Sequence, residues 1–145
     1  MDKVFFFILI GFLSLTVSAQ KKMKTPKKAI QFLKEFKEFD KFEEDLMLEY
    51  SGISDELYKP ELTKLINLAA DDFIEIAKKE TPTRKAYWEK IKDGLVRFSD
   101  IYPDLSANDI QRIIDYYEEL MDFVDLRSSN GELSKFKRGI GFRRN

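Results

Sequence analysis

The chain has 145 residues and contains neither cysteine nor histidine, which excludes thiolate nucleophiles, imidazole bases and zinc sites built on these ligands. Its 25 basic and 26 acidic residues nearly balance, but residues 20–28 and 135–145 each carry five basic residues and no acid. Residues 29–134 carry 14 basic and 25 acidic residues, a net charge of −11. This charge argues against nucleic acid as a partner, because neutralising phosphates supplies most of that affinity.

The beginning of the chain has the features of a secretory signal peptide. Lys3 precedes a long apolar run, and Val17-Ser18-Ala19 places small residues just before Gln20. The apolar stretch is shorter than the roughly 20 residues that a membrane-spanning helix needs. We therefore predict a cleavable signal peptide at residues 1–19 and no transmembrane segment after cleavage. Residues 20–145 are expected to form a single helical domain in the periplasm or outside the cell.

The first predicted helix begins near Thr25, a favourable N-cap residue that is followed by a proline. Apolar residues then recur at steps of three or four, which is the spacing of one helical face, and Ser51-Gly52 ends the pattern. The helix is either continuous or broken near Asp40, and both alternatives stay open. The apolar stripe comprises Phe32, Phe36, Phe39, Phe42, Leu46 and Tyr50.

Two further helices are each opened by a proline, at Pro60 and in the pair Thr81-Pro82, because proline suits a first helical turn. Gly94 lies beside the apolar stripe of the third helix, where glycine costs about 1 kcal/mol relative to alanine. We therefore predict that another helix approaches closely at Gly94. The two apolar faces consist of Leu62, Leu65, Ile66, Ala69, Phe73, Ile76 and Ala77, and of Tyr87, Trp88, Ile91, Leu95, Phe98 and Tyr102.

The fourth predicted helix starts at Ser106, which forms a capping-box pattern with Asp109 in place of the usual Glu or Gln. Its acidic residues share the face turned away from the isoleucines, so that face is expected to be solvated. A turn at residues 128–131 precedes a short terminal helix. The chain is thus predicted to be all-α, a compact bundle of four main helices plus a short C-terminal helix. The fourth apolar face comprises Ile110, Ile113, Ile114, Tyr117, Leu120, Met121 and Val124.

Two segments resemble a known protein family. Residues 119–133 read ELMDFVDLRSSNGEL, and Tyr87-Trp88, Ile91, Gly94-Leu95 and Phe98 are similar to the third helix of that family. The family is a domain of unknown function found mostly in small, exported, uncharacterised bacterial helical proteins. The resemblance covers most of residues 20–145. It implies export and a helical fold, and it brings no catalytic residues with it.

The sequence contains no recognisable catalytic, cofactor-binding or metal-ligating motif. We predict a non-enzymatic domain that needs no cofactor and binds another protein, such as an envelope protein. Tyr50, Trp88 and Tyr116 lie at the edges of apolar stripes and are candidate exposed aromatics of an interaction surface. Two alternatives stay open: a small hydrolase that uses paired carboxylates, and a peripheral envelope protein held by its basic termini.

Overall fold

Residues 22–141, the part of the chain that the computed structural model describes, contain five α-helices and three single 3₁₀ turns. Within these residues, extended pairing is confined to one isolated bridge, so the all-α prediction is confirmed. None of the helices in this part of the chain is long and apolar enough to cross a membrane. The predicted signal peptide, residues 1–19, lies outside the described residues. The helices are α1 (Ala29–Glu38), α2 (Lys59–Ala77), α3 (Arg84–Val96), α4 (Ala107–Phe123) and α5 (Glu132–Lys137).

The helix α2 lies at the centre of the bundle, in contact with α1, α3 and α4. Pro60 occupies its first turn, as the sequence predicts. Full burial of a large aliphatic or aromatic side chain contributes about 1.5–3 kcal/mol, so this helix organises much of the core. Its predicted apolar face is buried throughout: Leu62, Leu65, Ile66, Ala69, Phe73, Ile76 and Ala77.

The helix α3 begins slightly later than its proline pattern suggests. Thr83, and not Thr81, is the N-cap, because its hydroxyl accepts a hydrogen bond from the N–H of Ala86 at 3.1 Å. Gly94 is buried where α3 meets α4, and a Cβ atom there would lie 2.5 Å from the hydroxyl oxygen of Tyr117. The predicted close helix–helix approach at Gly94 is therefore confirmed.

The helix α4 begins as predicted, with the Ser106 hydroxyl accepting a hydrogen bond from the N–H of Asp109 at 3.1 Å. Only this half of the capping box forms, because the Asp109 carboxylate bonds to residues before α2. The short helix α5 follows a turn at Gly131 and packs on α3 and α4 through the buried side chains of Leu133 and Phe136.

The first helix ends at Glu38, so the alternative with a break near Asp40 is correct and the continuous stripe is wrong. Lys41 explains the end of the helix. Its buried ammonium donates hydrogen bonds to the carbonyls of Phe36 at 2.6 Å and Phe39 at 2.8 Å, and it lies 4.4 Å from the centre of the Phe36 ring. A cation at these carbonyls satisfies acceptors that the helix leaves unpaired.

The start of the first helix also differs from the prediction. Thr25 is not its N-cap, because α1 begins at Ala29 and is preceded by Lys28, whose side chain makes no capping hydrogen bond. The buried face of α1 comprises Ala29, Leu33 and Phe36.

Candidate functional site

Residues 42–53 fold into a short structure that we call the hairpin. The N–H of Ile53 donates to the carbonyl of Phe42 at 3.1 Å, and Asp45 and Tyr50 exchange backbone hydrogen bonds at 2.8 and 2.9 Å. Phe42 has a left-handed backbone with φ of 63°, and its N–H donates to the Tyr116 hydroxyl at 2.7 Å. The chain therefore leaves α1 and reverses beside α4.

Three consecutive apolar residues, Leu46–Leu48, form the hairpin tip, a single 3₁₀ turn. The carboxylate of Asp45 caps this turn by accepting hydrogen bonds from the N–H groups of Met47 at 3.0 Å and Leu48 at 3.3 Å. The side chains of Leu46, Met47 and Leu48 are 82%, 94% and 50% exposed. Their apolar surface contributes little to folding, so it stays available for burial against another molecule.

A hydrogen-bond network that is buried at Tyr50 and Asp109 anchors the hairpin to the first turn of α4. The Tyr50 hydroxyl donates to one carboxylate oxygen of Asp109 at 2.8 Å, and the N–H of Ser54 donates to the other at 3.4 Å. The hydroxyls of Ser54 and Ser106 are 2.9 Å apart. Burial alone raises the pKa of Asp109, but hydrogen bonds to its carboxylate from Ser54, Tyr50 and Ser106 outweigh burial and hold that pKa below its usual value.

Arg112 on α4 supplies a second anchor for the hairpin. Its guanidinium carbon lies 4.2 Å from the ring centre of Tyr116 and 5.7 Å from that of Tyr50. One guanidinium nitrogen is 3.8 Å from the carboxylate of Asp45. Because Asp45 also caps the tip turn, Arg112 connects the tip to α4 through a charge pair and two aromatic contacts.

The predicted aromatic residues do not form one exposed surface. Tyr50 and Tyr116 are each 4% exposed, so the prediction that they are exposed is wrong. Tyr50 is part of the hairpin, and the hairpin covers the part of α4 where Tyr116 lies. Both hydroxyls hold the hairpin in place. Trp88 is half-buried and donates its indole N–H to the carbonyl of Ser128 at 2.8 Å.

Trp88 lines a pocket of about 400 Å³, which we call the Trp88 pocket. It lies between the segment that precedes α1, the start of α3 and the residues that follow α4. The N–H of Met23 donates to the carbonyl of Pro82 at 2.8 Å, which holds the first segment against the start of α3. The lining is apolar at Met23, Trp88 and Leu126, cationic at Lys22, Lys24, Arg84 and Arg127, and acidic at Asp125.

Residues 24–140 match the family model of DUF4844, a domain of unknown function. The chain belongs to this family. The resemblance seen in residues 119–133 is therefore confirmed at the level of an uncharacterised domain family. A DUF3571 family protein from Acinetobacter baumannii AYE has a similar crystal structure, with a TM-score of 0.69 and 27% sequence identity over 77% of this chain and 89% of that chain. The sequence matches none of the curated proteins.

The DUF4844 domain also has a groove of about 450 Å³ that contains Glu118 and Asp122. Burial and the neighbouring charges of Asp115 and Asp122 raise the pKa of Glu118. Glu118 and Asp122 are four residues apart on α4, so they lie side by side on one face and do not flank a substrate from opposite sides. Among residues 22–141, no group of three or more acidic side chains is placed to hold a metal ion.

The exposed apolar residues of the hairpin tip are not predicted from the sequence. The spacing of Leu46 from Phe42 and Tyr50 is that of a helix face, which wrongly predicts a place in a helical stripe. A local signal is present in Asp45, whose carboxylate accepts from the N–H groups two and three residues later, as in an Asx turn.

Proposed function

We propose that this DUF4844 domain is an exported, non-enzymatic protein-binding module whose recognition element is the hairpin tip. The observation that carries the proposal is the exposure of three consecutive apolar side chains on a hairpin that buried polar groups hold in place. Stability alone favours the reverse arrangement, with apolar groups inside and polar groups in water. An anchored tip also loses little conformational freedom on binding, which favours affinity.

The charges around the tip define the chemistry of the partner. Glu43, Glu44 and Glu49 are exposed and flank the tip in sequence. Glu43 pairs with Lys59, and Lys41 is buried under the end of α1, which leaves net acidic charge at Glu44 and Glu49. The acidic residues around the tip disfavour binding to an anionic membrane surface. It favours a protein groove that has an apolar floor and a cationic rim. Met47 adds an adaptable side chain that fits irregular grooves.

Export is part of the proposal, and its support is the signal-peptide pattern of residues 1–19. If Ala19 is the last residue removed, the protein recovered outside the cytoplasm begins at Gln20, either free or cyclised to pyroglutamate. Intact-mass spectrometry of that fraction checks this expectation. Recovery of the full-length chain in membranes would show instead that the segment stays in place as an anchor.

Photo-crosslinking from the tip tests the binding function. A benzophenone amino acid replaces Met47 in the host cell, and in a control strain it replaces the exposed residue Lys92 on α3. We expect a protein adduct of defined mass from position 47 that is absent from position 92. The adduct partner, once purified, should bind the unmodified protein at least about tenfold more tightly than the Met47→Asp variant.

Two controls separate binding from folding and from lipid attachment. Because Met47 is exposed, Met47→Asp should change the free energy of unfolding by no more than about 0.5 kcal/mol. Equal affinity of both proteins for the crosslinked partner would refute the tip as the recognition element. Adducts to phospholipid alone, or salt-sensitive sedimentation with phosphatidylglycerol vesicles, would favour a peripheral envelope protein.

A further inference from the structure

We infer that the Trp88 pocket receives the hairpin tip of a second copy of this chain, so that copies associate head to tail. The inference rests on the proposed function, since it names a second copy as the tip's partner. Its basis is the match between two surfaces of the same domain: an apolar tip with an acidic surround, and an apolar pocket with a basic rim.

The pocket has the chemistry that the tip requires. Lys22, Lys24, Arg84 and Arg127 supply four cationic side chains against one carboxylate, from Asp125. Glu44 and Glu49 beside the tip supply the opposite charge, whereas Glu43 already pairs with Lys59. Complementary charges of this kind steer two surfaces together and select their register.

The floor of the pocket suits an apolar side chain. The volume of about 400 Å³ lies within the range of pockets that hold ligands, roughly 300–1,000 Å³. The indole N–H of Trp88 is already bonded to the carbonyl of Ser128, so covering this side chain leaves its polar atom paired. Partly exposed tryptophans in such pockets often dominate the energy of an interface.

The fold keeps the tip away from the pocket of its own chain. The hairpin is anchored at the first turn of α4 through Asp109, whereas Leu126 and Arg127 of the pocket lie just beyond the last turn of α4. A helix of this length spans about 25 Å. The contact is therefore between copies. It is also heterologous, since each copy offers a tip to one neighbour and a pocket to another.

Analytical ultracentrifugation of the purified protein, in the form that the cell accumulates, tests the inference at low salt. The weight-average molar mass of the unmodified protein is expected to rise with concentration beyond that of two chains, and to fall back when salt is added. Met47→Asp places a charge in the middle of the apolar tip, and Arg84→Glu reverses one charge at the rim of the pocket. Each variant alone is expected to stay monomeric, and an acidic residue in the first turn of α3 does not harm that helix.

The equimolar mixture of the two variants is the decisive sample. Met47→Asp keeps an intact pocket and Arg84→Glu keeps an intact tip, so the mixture is expected to form a dimer and to stop there. A monomeric unmodified protein, association that persists in both single variants, or a mixture that stays monomeric would each overturn the inference. The proposed function survives any of these results if the partner crosslinked at Met47 is another protein that binds through the tip.

Discussion

Asp109→Ala is expected to lower the free energy of unfolding by about 1–4 kcal/mol, since a buried donor that loses its acceptor costs about 1–3 kcal/mol. The buried donor is the hydroxyl of Tyr50, and the partly buried N–H of Ser54 loses a longer hydrogen bond of 3.4 Å. The carboxylate also lies in the first turn of α4, where a negative charge contributes about 0.3–1 kcal/mol. Denaturant unfolding near neutral pH measures the loss. If Asp109→Ala lowers the free energy of unfolding no more than Asp122→Ala does at an exposed position of α4, the network does not anchor the hairpin.

Asp109→Asn isolates the contribution of the charge. The pKa of Asp109 lies below its usual value, so the folded state favours the charged form. The resulting stability is fully present above the unfolded pKa, about 4, and is lost as pH falls through the lower folded pKa. The difference in unfolding free energy between the unmodified protein and Asp109→Asn should therefore be constant from about pH 5 to 7 and shrink below about pH 4. The other carboxyls titrate in both proteins and cancel, so a difference that grows in acid would contradict the argument.

Sequence patterns predict the elements of this fold whose causes are local. The face of α2 repeats at helical spacing and is buried throughout, because a helix with one apolar face has one way to bury it. Ser106 caps α4 through an N–H three residues later, a contact set by local geometry. Gly94 is identifiable as a point of close approach because glycine is disfavoured inside a helix unless packing requires it.

The hairpin could not be predicted in the same way, because distant residues determine it. Phe36, Phe39, Phe42 and Leu46 keep helical spacing across the end of α1. Where the chain turns away, the N–H of Phe42 donates a hydrogen bond to the hydroxyl of Tyr116, 74 residues later. The prediction that Tyr116 is exposed is wrong for a related reason. The sequence places Tyr116 at the edge of the apolar stripe of α4, but it does not show that the hairpin covers this residue. The exposed tip, and with it the candidate site, follows from these long-range contacts.

Gly94→Ala is expected to destabilise the protein by about 1–3 kcal/mol, although alanine is the better helix former. The added Cβ would lie 2.5 Å from the hydroxyl oxygen of Tyr117, well inside van der Waals contact. The Tyr117 side chain is 1% exposed, so it cannot swing aside into solvent. The clash must move α3 away from α4, which loosens the packing around both helices. Thermal or denaturant unfolding of the purified variant measures the effect.

Tyr117→Phe provides the matched background, because it deletes the one atom that clashes. No residue in the described part of the chain hydrogen-bonds to the Tyr117 hydroxyl, so its removal is expected to cost less than about 1 kcal/mol. The nearest ring carbon lies 3.7 Å from the new Cβ, an ordinary contact. In the Tyr117→Phe background, Gly94→Ala should therefore become neutral or stabilising by up to about 1 kcal/mol, as helix propensity favours. The double-mutant cycle then shows a coupling between positions 94 and 117. An equal loss in both backgrounds would mean that a neighbour other than this hydroxyl requires glycine at position 94.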